Sequence, residues 1–399
     1  AELSIYLIMR VLQVEFSRFD LYLTLAGFVP SFLATLFFGA YSDQHGRRFP
    51  LFIICFGDAI SNILMVILIY LDLPLWVFYI LNFTTSFFGG TTTLLGSSFA
   101  YVADVSSVTS RNARIAFLEM LIGGVGFIGS LISGHLGRVM QLYQVIILVL
   151  GIDVLCMLYV WLLIEETVTR ESSQGNIPQR TIMTFIKEIR DGFRTLCLAD
   201  GDLKKRIRLI LMLITFMVTA LYFFGANDLF PKYQLNEPLL WNSIKLGYFS
   251  GFFCLIYITS YLGVHFFSKV LPDILIAAIG MMSFVGGMVT TYFAKTDIIM
   301  YLGMSSLHTQ FYVTFYTPVL RSMLSKLVNP NEQGAVFSAV ACGEMVSRLL
   351  ASVIFNNVYA ATVSWSAGFS FLLAAAIVGF PLTLLGYAAS PEPSQKIPK

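Results

Sequence analysis

Charge is what this sequence has least of. Only 12% of its 399 residues are Asp, Glu, Lys or Arg, about half the share of an ordinary globular domain. With a mean hydropathy of +0.78, the chain needs lipid as its solvent. The net charge of +2 is too near balance to recruit a nucleic acid. Cysteine is sparse as well. Cys55, Cys156, Cys197, Cys254 and Cys342 show no metal-ligand spacing, and all but Cys197 lie in apolar runs. They read as small packing residues, not as a disulfide framework. No nucleophile elbow, phosphate loop or metal cluster is present, so neither an enzyme nor a cofactor is expected, protons as a coupling ion aside. A cleavable leader is not apparent, although the chain opens abruptly at Ala1-Glu2-Leu3.

What the sequence does have is apolar length. Runs of about 20 residues, enough to cross a bilayer as helix, recur near 19–41, 50–71, 75–102, 115–137, 142–164, 207–226, 243–267, 273–294, 297–320, 334–358 and 364–388. They are continuous, not alternating, which excludes a barrel. A polar stretch from Glu165 to Arg206 divides them five and six. Leu3–Val14 is apolar but interrupted by Arg10 and too short to cross, so it is expected to be the remainder of a truncated first span. The reading is an all-α integral membrane protein of two six-helix bundles. Its expected divisions are an N-terminal bundle over 1–164, a cytoplasmic central loop over 165–206, a C-terminal bundle over 207–390 and a cytoplasmic tail over 391–399.

Basic residues set the orientation. If the loop at Asp43–Arg48 is cytoplasmic, so are Arg47, Arg48, Arg111, Arg114, Arg170, Arg180, Lys187, Arg190, Arg194, Lys204, Lys205, Arg206, Lys269, Arg321 and Lys326. The other side keeps Arg18, Arg138, Lys232, Lys245 and Lys295, and the positive-inside rule selects that topology.

That loop reads Gly39-Ala-Tyr-Ser42-Asp43-Gln-His-Gly46-Arg47-Arg48 and resembles the signature loop of major facilitators, G-x-x-x-D-x-x-G-R-R/K. Its physics suits a gate: Gly39 for close helix approach, Asp43 to cap or pair, Gly46 for a sharp turn, and arginines to meet carboxylates or helix C-termini on a neighbouring bundle. The resemblance makes Asp43, Gly46, Arg47, Arg48 and Arg114 gating residues.

Longer stretches are similar to solute carrier family 46, which includes a proton-coupled carrier of folate. They are Ser98-Phe-Ala-Tyr-Val-Ala-Asp104-Val-Ser-Ser, Arg114-Ile-Ala-Phe-Leu-Glu119, Tyr233-Gln-Leu-Asn-Glu-Pro-Leu-Leu-Trp241 with Gly247-Tyr248, Thr317-Pro-Val-Leu-Arg321-Ser-Met-Leu-Ser-Lys326, Glu332-Gln-Gly334-Ala-Val-Phe-Ser-Ala-Val-Ala-Cys342 and Ala360-Ala-Thr-Val-Ser-Trp365. The chain departs from the folate carrier where that protein has a carboxylate in its fourth span, here Ser86-Phe87-Phe88-Gly89-Gly90. It departs again where Cys254 stands for a histidine of the eighth span, and where Val270 stands for a cysteine bridged to an outer loop. The sole sequon, Asn82-Phe-Thr84, lies inside a span and should be silent.

Ionisable side chains at span depth are functional candidates because an unpartnered charge in hydrocarbon costs several kcal/mol. Asp58, Glu119, Asp153, Glu344 and Arg348 qualify. The resemblance gives Glu119 a part in proton coupling, the alternative being a helix-end carboxylate beside Arg114. It ties Arg321 to transport, the alternative being a topology anchor. Glu344 and Arg348, four apart, permit an intrahelical pair, unless Arg348 faces a substrate carboxylate. Asp58, with Asn62 four residues on, and Asp153 read as lone acids buried against neighbouring helices. Among His45, His135, His265 and His308, only His308 is set apart for a test of titration. Phe87, Phe88, Tyr248, Phe252, Tyr257, Tyr312 and Tyr316 fall on spans that line the cavity in this fold and could stack on a flat heterocycle.

The resulting expectation is a monomeric secondary transporter of a small organic anion, a folate-like pteridine, driven by protons through alternating access. Glu119, Arg321, Glu344, Arg348, Tyr248, Cys254 and Tyr316 form its coupling and substrate set. Its only other surroundings would be membrane lipid, at the plasma or an endolysosomal membrane. The rivals are an endolysosomal exporter of muropeptides or bulky conjugates, and a non-transporting receptor or chaperone on the same scaffold.

Overall fold

The structure is a computed structural model that describes residues 2–106, 111–167, 203–267, 270–305, 319–321, 323–324, 327 and 333–388. Among these residues it is built of helices and turns, with no strand. In lipid this is the expected solution, because each helix satisfies its own backbone polar groups.

The helices are α1 (Glu2–His45), α2 (Arg48–Tyr70), α3 (Trp76–Thr85), α4 (Gly90–Asp104), α5 (Arg111–Val139), α6 (Leu142–Leu163), α7 (Leu203–Gln234), α8 (Ser243–Phe267), α9 (Asp273–Tyr292), α10 (Asp297–Ser305), α11 (Gln333–Thr362), α12 (Phe369–Ile377) and α13 (Gly379–Ala388). Their ends carry local chemistry. Gln141 and Gln144 form a reciprocal capping box at the start of α6, and Pro272 precedes α9, whose first turn holds Asp273. Among the described residues seven stretches are long and apolar enough to span, including Val11–Gly39, Arg48–Tyr70, Leu142–Leu163 and Ile207–Gln234. In α6 only 6% of the most apolar window is buried, so apart from the side that meets α2 most of that helix's apolar surface is left to lipid.

Two expected boundaries are corrected. The Leu3–Val14 segment is not a separate piece of a span: α1 runs unbroken for 44 residues. Between Arg10 and Phe19 there is no glycine or proline to interrupt the ladder. Conversely, the expected span at 75–102 is broken. A 3-10 turn at Ser86–Phe88 ends α3, and Gly89 and Gly90, the latter the first residue of α4, take φ of +98° and +61°. Consecutive left-handed residues cannot continue a right-handed helix, and glycine occupies that region without a Cβ clash.

The chain forms two compact units. Unit 1 comprises Ala1–Glu15, Ile189–Leu240 and Leu255–Lys399, and unit 2 comprises Phe16–Glu188 and Trp241–Cys254. The divisions follow packing and not chain order, so α1 and α8 each contribute to both. In unit 1, α7 packs extensively on α11, where a Cβ on Gly225 would collide with the Phe355 ring. In unit 2 the main pairing is α2 on α6, with Leu51, Cys55 and Val160 at its buried centre.

Candidate functional site

Three groups of chemistry-bearing residues take shape. The first surrounds the turn between α1 and α2. Gly46 closes α1, its N–H donating to Ser42 O at 3.1 Å, and turns the chain with φ +112°. Arg47 folds back: its Nε donates to Asp104 Oδ2 at 2.8 Å and its NH1 to Ser42 Oγ at 3.0 Å. The Glu166 carboxylate caps α2, accepting from the Arg47 N–H at 2.7 Å and the Arg48 N–H at 3.3 Å. It occupies the space that a Cβ on Gly46 would need. A carboxylate at a helix N-terminus meets both unsatisfied amides and the positive end of the macrodipole. Arg48 donates to Trp161 O and lies 5.3 Å from the Trp161 ring centre, while Arg114 NH1 reaches Val105 O at 3.2 Å.

Sequence reasoning missed Asp104 and Glu166 as members of this group. Asp104 was visible in a family-like stretch, and Glu166 was assigned to the central loop; no spacing links either to Arg47. The carboxylate that Arg47 meets lies in its own unit, not in a neighbouring bundle. Gly39 does not serve close approach either, since among the described residues nothing comes within 4 Å of a Cβ built on it. The side chains of Asp43 and His45 lie outside the described residues.

The second group is in unit 1. Arg321 NH2 donates to Glu344 Oε2 at 2.6 Å, and its guanidinium lies 5.5 Å from the Phe216 ring centre. One turn along α11, Arg348 is exposed and lies 5.3 Å from the Phe224 ring centre. The expected Glu344–Arg348 pair is thus replaced by a longer-range one, because the face of α7 presents rings to both arginines and leaves Glu344 to Arg321. With side chains 42% and 31% exposed, the ion pair adds little stability. It does hold a guanidinium, a carboxylate and two aromatic faces together. Such a strip can receive an organic carboxylate and an apolar body side by side.

The third group is a seam in unit 2 between α5 and the first half of α8. Gly126, Ser130 and Gly134 are spaced four apart on α5, and Ser243, Gly247 and Gly251 are spaced four apart on α8. A Cβ on Gly134 would stand 2.9 Å from the Gly247 Cα, and one on Gly247 would stand 2.6 Å from Ser130 O. The two backbones are in contact, as small-residue faces allow in membranes. Cys254 continues the seam, its sulfur 2.9 Å from a Cβ on Gly126. At the other end Tyr248 and His135 meet edge-on, ring centres 5.6 Å apart, with a long 3.5 Å contact from hydroxyl to Nε2. His135 Nδ1 lies 2.9 Å from Leu131 O; a carbonyl only accepts, so that nitrogen carries hydrogen and Nε2 faces the tyrosine.

Other candidates are dispersed. Asp153 is not a lone acid: Asn62 Nδ2 donates to it at 2.6 Å across α2 and α6, with Asp58 in electrostatic reach. Phe88 wedges against Gly57 and Phe56, while Phe87 is exposed and edge-on to Phe83. Asn82 of the sequon donates to Leu23 O at 2.7 Å inside the bundle. Lys232, counted as an outer-surface charge, is 2% exposed, its ammonium held by Asn356. Glu119, Tyr257 and His265 lie on α5 and α8, but their side chains are outside the described residues, as are His308, Tyr312 and Tyr316 altogether.

The chain matches the Major Facilitator Superfamily over residues 3–352. It is 36% identical over 382 residues to the lysosomal proton-coupled steroid conjugate and bile acid symporter SLC46A3 of Gallus gallus, covering 95% of this chain and 81% of the relative. It is 34% identical over 386 residues to the proton-coupled folate transporter of Rattus norvegicus, covering 97% and 82%. The chain is a major facilitator of solute carrier family 46. Solved structures show the same fold in this family 46 transporter. The human organic anion transporter MFSD10 superposes with a TM-score of 0.60 at 17% identity, covering 92% of this chain and 83% of that one. The inward-open xylose transporter XylE of E. coli gives 0.63 at 13% identity, covering 99% and 97%. Its relatives are transporters and not enzymes, and it is a multi-pass membrane protein.

Proposed function

We propose that this facilitator is a proton-coupled symporter of an organic anion, and that Arg321, Glu344 and Arg348 are its anion site. One observation carries the reading: the 2.6 Å Arg321–Glu344 pair beside Phe216, one turn from Arg348 over Phe224. An arginine bound to a carboxylate of its own protein is poised for exchange. When Glu344 takes a proton it loses its charge and its hold on Arg321, whose planar donors then fit a substrate carboxylate. Substrate and proton thereby enter as one neutral event, and the Phe216 and Phe224 faces receive the apolar body. Glu119 is the second proton-carrying candidate, on the strength of its place in the family-like stretch.

For the substrate, a bulky conjugated anion is the first reading and a folate-like pteridine the second. The first rests on Ser86–Gly90 and Cys254, which stand where the folate carrier has a carboxylate and a histidine, and on the steroid conjugate and bile acid symporters among the relatives. The second rests on the rat folate transporter and on two aromatic faces that suit a flat ring. An endolysosomal membrane accompanies the first, the plasma membrane the second.

Uptake of labelled taurocholate and of folate into proteoliposomes, with and without an inward proton gradient, tests both. Proton-stimulated uptake of either is expected. Arg321→Gln should weaken substrate binding roughly 10- to 150-fold, the worth of a charge-assisted bond of about 1.5–3 kcal/mol. Glu344→Gln should leave binding and remove its pH dependence. Binding of both anions that is indifferent to Arg321 sinks the assignment.

A further inference from the structure

Unit 2 contains a cavity of about 390 Å³ among α1, α2, α3 and α6. It lies at the end of the unit opposite the Gly46 turn, because it draws on Met65 and Ile69 late in α2, Leu75 just before α3, and Leu142 at the start of α6. No charged side chain lines it, and its polar members are Ser61, Asn82 and Thr85. Two of those already serve the protein: Asn82 donates to Leu23 O at 2.7 Å and Thr85 to Leu81 O at 2.9 Å. Water needs two to four polar partners to settle in such a space, and an apolar cavity of only about 150 Å³ stays dry and takes up benzene.

The surroundings indicate what fills it. α2 and α6 are spans, so the cavity opens at membrane depth. Leu75, just before α3, and Leu142, the first residue of the α6 span, stand at its mouth and are each 64% exposed, and the medium that covers exposed leucine at the end of a span is the acyl-chain region beneath the headgroups. Around the mouth stand Tyr70 edge-on to Tyr143 at 6.0 Å and Tyr22 edge-on to Tyr79 at 6.2 Å. Aromatic residues of this kind mark the headgroup level of a bilayer. A chain entering from there would run down between α2 and α3 towards Thr85, where α3 ends.

We propose that this cavity is a binding site for one acyl chain of a bilayer phospholipid. The chain fills apolar space that no side chain fills, and it braces α3 against α1 and α2 directly beside the break at Ser86–Gly90. This is independent of what the transporter carries.

The test is photolabelling of the full chain in phosphatidylcholine vesicles containing a phosphatidylcholine with a diazirine near the end of one acyl chain. Labelled peptides are mapped by mass spectrometry. Peptides covering Ser61–Thr85 should be labelled well above those ending in Trp161–Leu163, which are exposed on the same unit. Met65→Trp, which fills the space, should lower the first several-fold and leave the second unchanged. Ile69→Phe does the same with a smaller insertion, should the tryptophan prevent folding as judged by thermal unfolding. Labelling that merely follows exposure overturns the proposal. So does labelling that neither filled variant changes, or entry of a water-soluble diazirine instead, which would mark a wet cavity.

Discussion

At Gly46 two demands fall on one residue. The turn needs φ of +112°, and the Glu166 carboxylate sits where a side chain would begin. Gly46→Ala therefore meets a left-handed penalty of about 1–2 kcal/mol and pushes away the cap of α2. The expected outcome is a lower maximal transport rate with substrate affinity retained, since the change lies in unit 2 and the proposed anion site is built from residues of unit 1; rate and half-saturation measured together check it. Arg47→Lys should behave alike, because an ammonium cannot reach Asp104 and Ser42 with the same planar fork. A rate equal to wild type in both variants would remove the turn from the mechanism. At this scale the sequence was readable only where spacing carries meaning. The glycines and arginines of the turn stood out by their order, whereas Asp104 and Glu166 lie 57 and 119 residues from Arg47. Lys232 was hidden for the opposite reason, since composition records a charge without recording what surrounds it.

At the scale of elements, the seam between α5 and α8 makes the sharpest prediction. A methyl group on Gly247 has no room, with Ser130 O 2.6 Å and the Gly134 Cα 2.7 Å from its position, and backbone cannot turn aside as a side chain can. Gly247→Val should force the helices apart at an overpacking penalty of about 1–3 kcal/mol, a roughly 5- to 150-fold shift between packed and parted states. The readout is the modification rate of His135→Cys beside Tyr248, expected to rise in the valine variant. An unchanged rate would mean that the seam is not a closing contact. Periodic hydrophobicity located most helices, because each must cover about 30 Å of hydrocarbon. It missed the interruption of the third run, 75–102, where Ser86–Gly90 is as apolar as its flanks, and it divided α1 at a charged residue that a long helix tolerates. Helix pairing was beyond it. Seen singly, the glycines of α5 and α8 are weak helix formers; only in register do they become a contact.

For the whole molecule, the question is how proton flow is tied to substrate flow. Glu344 is described with its partner Arg321, and Glu119 is placed on α5 without a described side chain, so the two proton candidates are best separated by experiment. Glu119→Gln fixes that group as neutral. If it carries the coupled proton, net proton-driven uptake should collapse while substrate-for-substrate exchange persists. A purely structural Glu119 predicts parallel loss of both activities together with lower thermal stability. Fold class and family were legible because lipid demands long apolar helices and the gate loop has a fixed order of residues. The partition into compact units was not, since it depends on where α8 touches α5.

That contact has a further consequence. Each glycine in a helix interior lowers its stability by about 1 kcal/mol relative to alanine, and Gly126, Gly134, Gly247 and Gly251 all lie inside helices. The residues that let α5 and α8 touch are therefore those that make each a poorer helix alone. While the seam is closed, each backbone shields the other from solvent and offsets the loss. When it parts, both segments lose that shelter together, and their amides should exchange with deuterium as one cooperative block. Isotope uptake along these two helices would then time the parting of this seam without any label attached to it.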